Sequence, residues 1–290
     1  MSFVAAEKTT KWCKQSLVMA VATLASAVAL AGPGHGQDKG PANVSQSIQA
    51  AVKSELRTPE NVQRDDYRHP AETLSFFEVD TSDHVVEIWP GGGWYSEVLA
   101  GVIGGHGKLY AAHFAKDTDI GYFQRSRAGY LAMIEAKPEL YKSVEVTEFY
   151  PPGKVSSGPA ASADHVLTFR NVHNWMKAGY AEQAFQEFFT LLKPGGILGV
   201  VEHRAKPGTS LEAMIKSGYV TEAKVIELAT EAGFVLDAKS EVNANPKDSA
   251  DHPKGVWTLP PRLRLGDEKK EHYLAIGESD RMTLKFKKPN

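Results

Sequence analysis

Short apolar runs alternate with amphipathic segments along most of this chain. His84 to Trp89 has the pattern of a short buried strand, and Trp94 to Ile103, after the turn Gly91-Gly92-Gly93, has that of a helix. Lys108 to Phe114 is a second strand, Tyr122 to Ile134 a helix, and Ser143 to Phe149 a third strand. Pro151 to Ala163 reads as a loop of Pro, Gly, Ser and Ala. Asp164 to Phe169 is a fourth strand. From Ala178 to Leu192 one helical stripe collects Ala184, Phe185, Phe188, Phe189 and Leu192, and Lys193-Pro194-Gly195-Gly196 stops it. Ile197 to Glu202 is a fifth strand. Such alternation implies a parallel sheet covered by helices on both faces.

The ending departs from that rhythm. Thr221 to Ala232 is helical and closed by Gly233, Phe234 to Val242 is a strand, and Arg281 to Lys287 is another. Two late strands without a clear helix between them predict an antiparallel pair at the sheet edge. The stretch 243–280 is too long for a hairpin loop. It reads as an insertion that folds over the carboxyl edge of the sheet, either a substrate-facing lid with Trp257 packed in it or a flap that stabilises the hairpin. Upstream, Ser45 to Leu56 has helical periodicity, and Pro70 starts another short helix within Asp65 to Phe77. Residues 45–290 are therefore expected to be a single α/β domain.

The first residues differ. Lys8, Lys11 and Lys14 precede an uncharged run from Ser16 that ends in Ala29-Leu30-Ala31. A basic head, apolar middle and Ala-x-Ala end predict a secretory signal over 1–31. Residues 32–44 read as a disordered linker. The expectation is an exported, periplasmic protein with no stable membrane insertion once the signal is removed. The only cysteine, Cys13, precedes the apolar run, which excludes a disulfide framework or Cys nucleophile in the remaining chain. Net charge is −2 with both signs mixed, so nothing suggests nucleic acid as a partner. A small-molecule substrate is expected; oligomeric state is not legible.

The strand-turn-helix around Gly91 is the most informative segment. Glycines there permit positive φ and let a ligand approach the backbone. In a doubly wound sheet the turn opens at the carboxyl edge, where ligands bind. Val85-Val86-Glu87-Ile88-Trp89-Pro90-Gly91-Gly92-Gly93 resembles the first motif of class I S-adenosylmethionine-dependent methyltransferases, an acid followed by alternate glycines. Trp89 stands in place of the first glycine. Arg170-Asn171-Val172 after the fourth strand and Leu192 to Leu198 resemble later segments of that family. The whole mature chain is most similar to predicted exported methyltransferases, through phrases such as the one running from Thr168 to Gly179.

That resemblance implies a Rossmann-like sheet of strand order 3-2-1-4-5-7-6 with a reversed last strand. It implies S-adenosyl-L-methionine as cofactor, near Glu87, Trp89, Pro90, Gly91, Gly93, His113, Phe114 and Asn171. His113 stands where the family carries a ribose-binding acid, and imidazole cannot accept two hydroxyls as a carboxylate does. The implied activity is methyl transfer to an unknown small molecule. The alternative is an exported binding protein that retains the fold.

Adjacent strand ends should bring together Arg170, Asn171, His173, Glu202, His203 and Arg204. His173 or His203 is a candidate general base. Glu202 can orient either ring or act as base itself. Arg170 or Arg204 can hold an anionic group. The spacing of the two histidines and the glutamate matches no standard metal-ligand motif, so no metal is expected. Arg170 and Glu202 can equally be an ion pair tying neighbouring strands, and His173 and Trp175 can serve only to cap and pack the next helix.

Overall fold

The described part of the first helix, α1, spans Pro41–Val52. It reaches into the stretch read as linker and ends at Val52 instead of Leu56, where the Arg57 guanidinium donates to Val52 O at 3.1 Å. The computed structural model describes residues 41–290 except 152 and 154. The expected signal, and the linker up to residue 40, lie outside the described residues.

Three short helices follow: α2 (Pro59–Val62), α3 (Asp65–Arg68) and α4 (Pro70–Phe76). Then comes the expected alternation of β1 (His84–Ile88), α5 (Trp94–Ile103), β2 (Lys108–His113), α6 (Gly121–Ala136) and β3 (Val144–Phe149). The loop after it holds a two-residue strand, β4 (Val155–Ser156), before β5 (Ala163–Phe169). Two helices stand here, α7 (Val172–Ala178), for which no range was expected, and α8 (Ala181–Leu191), which accounts for the helix expected over 178–192. Gly179, at φ +80°, ends the first of them. Next, β6 (Leu192–His203) starts at Leu192 and not at Ile197, because Leu192 still pairs with Ala163 across an irregularity in register.

An unexpected helix, α9 (Leu211–Ser217), starts where Ser210 Oγ accepts from Ala213 N at 3.3 Å. The chain continues through α10 (Glu222–Glu231), β7 (Val235–Ser240), β8 (Pro253–Val256), α11 (Lys270–Ile276) and β9 (Arg281–Lys287). The strand expected over 234–242 is thus shorter, and the insertion has elements of its own.

The sheet has eight strands in the order β4-β3-β2-β1-β5-β6-β9-β7. This is the expected order with β4 added antiparallel at one edge. β9 runs antiparallel to both β6 and β7. Period-two alternation divides the core. Val85 and Leu167 pack with Leu74, Val98 and Leu99 on one face, while Val86, Ile88 and Val166 pack with Phe185 and Phe188 on the other.

The N-terminal helices are fastened to α5. Glu97 accepts from Thr58 N at 3.0 Å, Asn61 Nδ2 at 2.8 Å and Lys137 Nζ at 3.1 Å. Trp94 Nε1 donates to Asn61 O at 2.9 Å. Together these bonds fasten α2 to the start of α5. No helix among the described residues is long and apolar enough to cross a membrane.

Candidate functional site

A cleft of about 1420 Å³ opens at the carboxyl ends of β1, β5 and β6. This is the switch point of the sheet, since the chain leaves β1 toward β2 on one side and meets β5 on the other. The insertion supplies much of the opposite wall through Val256, Trp257, Leu259 and the pair Pro260-Pro261. Trp257 lies 6.0 Å from the His173 ring, centroid to centroid, and the Arg264 guanidinium sits 4.6 Å over its indole. Other polar residues of the insertion brace it instead. Asn243 Nδ2 donates to Thr73 and Thr283, Asn245 to the carbonyls of Ile276 and Glu278, and Asp248 accepts from Tyr219 and contacts His252.

At the glycine turn, Gly91 and Gly92 border the cleft, and a Cβ on either would meet no atom within 4 Å. Gly93 does not line the cleft. A Cβ there would lie 2.4 Å from Met133 Cε, so this glycine serves close packing of α5 on α6. Glu87 is 2% exposed and accepts from Ser96 Oγ at 2.5 Å, with Tyr130 donating to Ser96 at 3.0 Å. Burial raises its pKa to about 7, against the smaller opposing effect of that hydrogen bond.

Three of the expected cofactor contacts are also structural braces. His113 is fully buried. Its Nδ1 accepts from Phe114 N at 2.8 Å and its Nε2 lies 3.2 Å from Gly91 O, so neither nitrogen is left for a ribose. Burial lowers its pKa to about 4. Trp89 holds a left-handed backbone at φ +50°, and its Nε1 donates to Phe149 O at 2.7 Å. Phe114, at 4.7 Å, and Trp175, at 5.7 Å, pack edge-on to its ring. Asn171 Nδ2 donates to Ile88 O at 2.9 Å and to Trp89 O at 3.3 Å, tying the end of β5 to this strained corner. Pro90 and Phe114 line the cleft, as do edges of Trp89 and Asn171.

The expected catalytic residues do converge. His173 Nδ1 lies 3.0 Å from Glu202 Oε1. Glu202, fully buried, also accepts from His203 N at 2.8 Å and His173 N at 3.3 Å. His203 Nδ1 meets Ser279 Oγ at 2.6 Å, and the two imidazoles lie 5.4 Å apart. Both rings line the cleft, and neither Nε2 has a hydrogen-bond partner among the described residues. Burial first, then repulsion from His173, Arg281, Arg170 and Arg68, holds the His203 pKa well below its ordinary value.

The sequence spacing hid how close these groups come: donor atoms of His173, Glu202 and His203 lie within 4.8 Å of one another, near enough to share a metal ion. Two features disfavour a cation there. The Glu202 carboxylate is already engaged by three N–H donors, and the adjoining wall is cationic.

Arg204 is elsewhere. It pairs with Asp280 at 2.8 Å, Glu222 at 3.2 Å and Glu241 at 2.8 Å, hydrogen bonds that raise its pKa. Nor is Arg170 paired with Glu202, whose partners are the imidazole and backbone N–H groups just described. Sequence reasoning missed Arg64, Arg68, Glu278, Ser279 and Arg281, which all line the cleft. The only local signal was the four-residue spacing of Arg64 and Arg68.

No family model matches this chain, and no curated protein matches it. Solved structures do. A SAM dependent methyltransferase from Aquifex aeolicus is 18% identical with TM-score 0.50, over 70% of this chain and 93% of that one. The [4+2]-cyclase SpnF is 14% identical with TM-score 0.56, over 85% and 94%. Phosphoethanolamine N-methyltransferase 2 from Haemonchus contortus, in complex with S-adenosyl-L-methionine, is 14% identical with TM-score 0.52, over 85% of this chain and 57% of that one. What the chain shares with them is the fold: an α/β sheet with a reversed strand of the class I methyltransferase type.

Proposed function

We propose that this chain is a methyltransferase that transfers the methyl group of S-adenosylmethionine to a small molecule held in the cleft. The observation that carries the reading is the open backbone at Gly91 and Gly92, facing buried Glu87 at the switch point of this sheet. Gly91 and Gly92 leave room for the amino-acid end of the cofactor, and Glu87 lies at its floor. Phe114, Tyr122, Phe123 and Tyr180 line an aromatic recess of the same cleft, suited to the flat face of a base. Only the ribose lacks a partner of the usual kind, since both nitrogens of His113 are in use. Bound there, S-adenosylmethionine supplies an electrophilic methyl group.

The protein's own part is positioning and proton handling. His203 Nε2, kept neutral by its surroundings, can take a proton from the acceptor, while Ser279 Oγ fixes the ring from the other side. His173, held by Glu202, can accept a hydrogen bond at its own Nε2. Trp257 and Pro260 wall the cleft against solvent.

Titration of the full-length chain with S-adenosylmethionine and S-adenosylhomocysteine tests this. Saturable binding at micromolar to millimolar ligand supports it; no heat at millimolar ligand removes it. The second reading, a binding protein that kept the fold, is favoured by the locked His113 and would then stand. Under either reading we propose export, supported by the basic head and the Ala29-Leu30-Ala31 end of the N-terminal segment. Mass spectrometry of the mature N-terminus decides it; an intact Met1 contradicts cleavage.

A further inference from the structure

One wall of the cleft carries more positive charge than the fold neutralises. Arg64, Arg68, Arg170 and Arg281 gather around a single carboxylate, Glu278. Arg64 Nε donates to Glu278 Oε1 at 2.6 Å, Arg68 Nε to Oε2 at 3.4 Å, and Arg281 Nη2 also to Oε2. One carboxylate against four guanidiniums leaves three positive charges uncompensated. Arg68, Arg281 and Glu278 are only 2%, 3% and 4% exposed, so bulk water does little to screen them. Holding unpaired charge out of water is costly.

The donors are also unfilled. Arg68 Nη1 and Arg281 Nε are buried without a hydrogen-bond partner. Arg170 has no hydrogen bond or ion pair from its side chain to any described residue, although it lines the cleft. Its backbone is left-handed, at φ +64°, and is held there by Arg170 N donating to Val201 O at 2.7 Å. That is a strained backbone for a bulky residue. The floor beneath is rigid: Tyr95 stacks on Phe169 with ring centroids 3.5 Å apart, and Arg68 lies 4.6 Å over the Trp94 ring. Preorganised guanidiniums with donors still unfilled match planar or tetrahedral oxyanions.

We infer that the ligand of this cleft carries a dianionic group, a phosphoryl or a pair of carboxylates, which binds between Arg68, Arg170 and Arg281 beside His203. The inference rests on the proposed function only in calling that ligand the methyl acceptor; the anion site stands on the arginines themselves. It orients the rest of the molecule toward the Nε2 atoms of His203 and His173.

The test is calorimetric titration of the full-length chain, without S-adenosylmethionine, using inorganic phosphate, succinate, acetate and glycerol at constant ionic strength and mildly alkaline pH. Expected is saturable binding of phosphate or succinate, about tenfold or more tighter than acetate, with none for glycerol. Whichever dianion binds distinguishes phosphoryl from dicarboxylate. Arg170→Gln, which removes no hydrogen bond of the fold, should weaken that binding about tenfold or more, while Lys239→Gln, on β7, should not. If Arg170→Gln fails to fold, Arg170→Lys keeps the charge and loses the fork, and it too should bind more weakly. Equal binding of acetate and the dianions, no saturable binding of either, or unaltered binding by the folded Arg170 variant overturns the inference. Because no cofactor is present, these titrations can fail while the S-adenosylmethionine titration succeeds, and the reverse.

Discussion

His173 Nδ1 faces Glu202 Oε1 at 3.0 Å, in a pocket where Glu202 has no exposure to solvent. A buried carboxylate that accepts a ring N–H fixes both the orientation and the tautomer of the imidazole. It leaves Nε2 as the nitrogen that meets the cleft. Across from it, the His203 ring is held through Nδ1 by the Ser279 hydroxyl. The fold thereby presents two imidazole edges side by side at the cleft.

Glu202→Gln should disturb this pair. A glutamine cannot accept from three N–H donors with both terminal atoms, because its amide nitrogen is itself a donor. The expected loss is about 1–3 kcal/mol in urea-denaturation stability. Nitrogen-15 correlation spectra should place the His173 proton on Nδ1 in the parent protein. A proton on Nε2 there would contradict the arrangement.

Glu87 and His113 should pull stability in opposite directions with pH. Burial raises Glu87 from 4.5 to about 7, so the folded state keeps a proton that the unfolded chain loses. Its contribution is full below pH 4.5 and fades as pH rises toward 7. His113 falls from 6.5 to about 4, so the unfolded chain takes up a proton first, and stability fades as pH falls from 6.5 toward 4. Each amounts to about 3 kcal/mol. His203 acts in the same sense as His113. Glu87→Gln should therefore steepen the rise of stability between pH 4.5 and 6.5, and His113→Gln should flatten or invert it. Chemical-denaturation midpoints across that range give the answer; parallel curves for the two variants would refute the assignment.

Neighbouring glycines should respond differently to alanine. Gly93→Ala sets a side chain at φ +78° against Met133 and should cost about 1–3 kcal/mol. Gly92→Ala meets open space and should change the melting temperature little. Because Gly92 borders the cleft, its effect should appear in ligand titrations instead.

Trp89→Phe should keep much of the aromatic packing but leave Phe149 O without its indole donor, at a cost of about 1–3 kcal/mol. Trp89→Gly relieves the left-handed strain yet opens a cavity among Phe114, Phe149 and Trp175, so a net loss of about 2–4 kcal/mol is expected. A Trp89→Gly protein as stable as the parent in urea would show that the indole is not part of the core.

The sequence by itself determined the sheet. Strand periods at 84–89, 108–114, 164–169 and 281–287 and the glycine turn were legible because period-two burial and left-handed turns leave their mark on nearest neighbours. It also placed His173, Glu202 and His203 at one edge, since strand order brings the ends of β5 and β6 together. It began α8 three residues early and gave no range for α7, whose seven residues are too few for a helical period to show. Nor could it assign His113, Asn171 and Arg204, whose roles are set by whichever backbone atom or carboxylate the packing delivers to them. The arginine wall was wholly a product of tertiary structure. Arg64 and Arg68 come from the two ends of a short N-terminal helical turn, Arg170 from a strand end and Arg281 from the last strand, with Glu278 alone among them. Charges so far apart in the chain become one electrostatic site only when the fold removes the water between them.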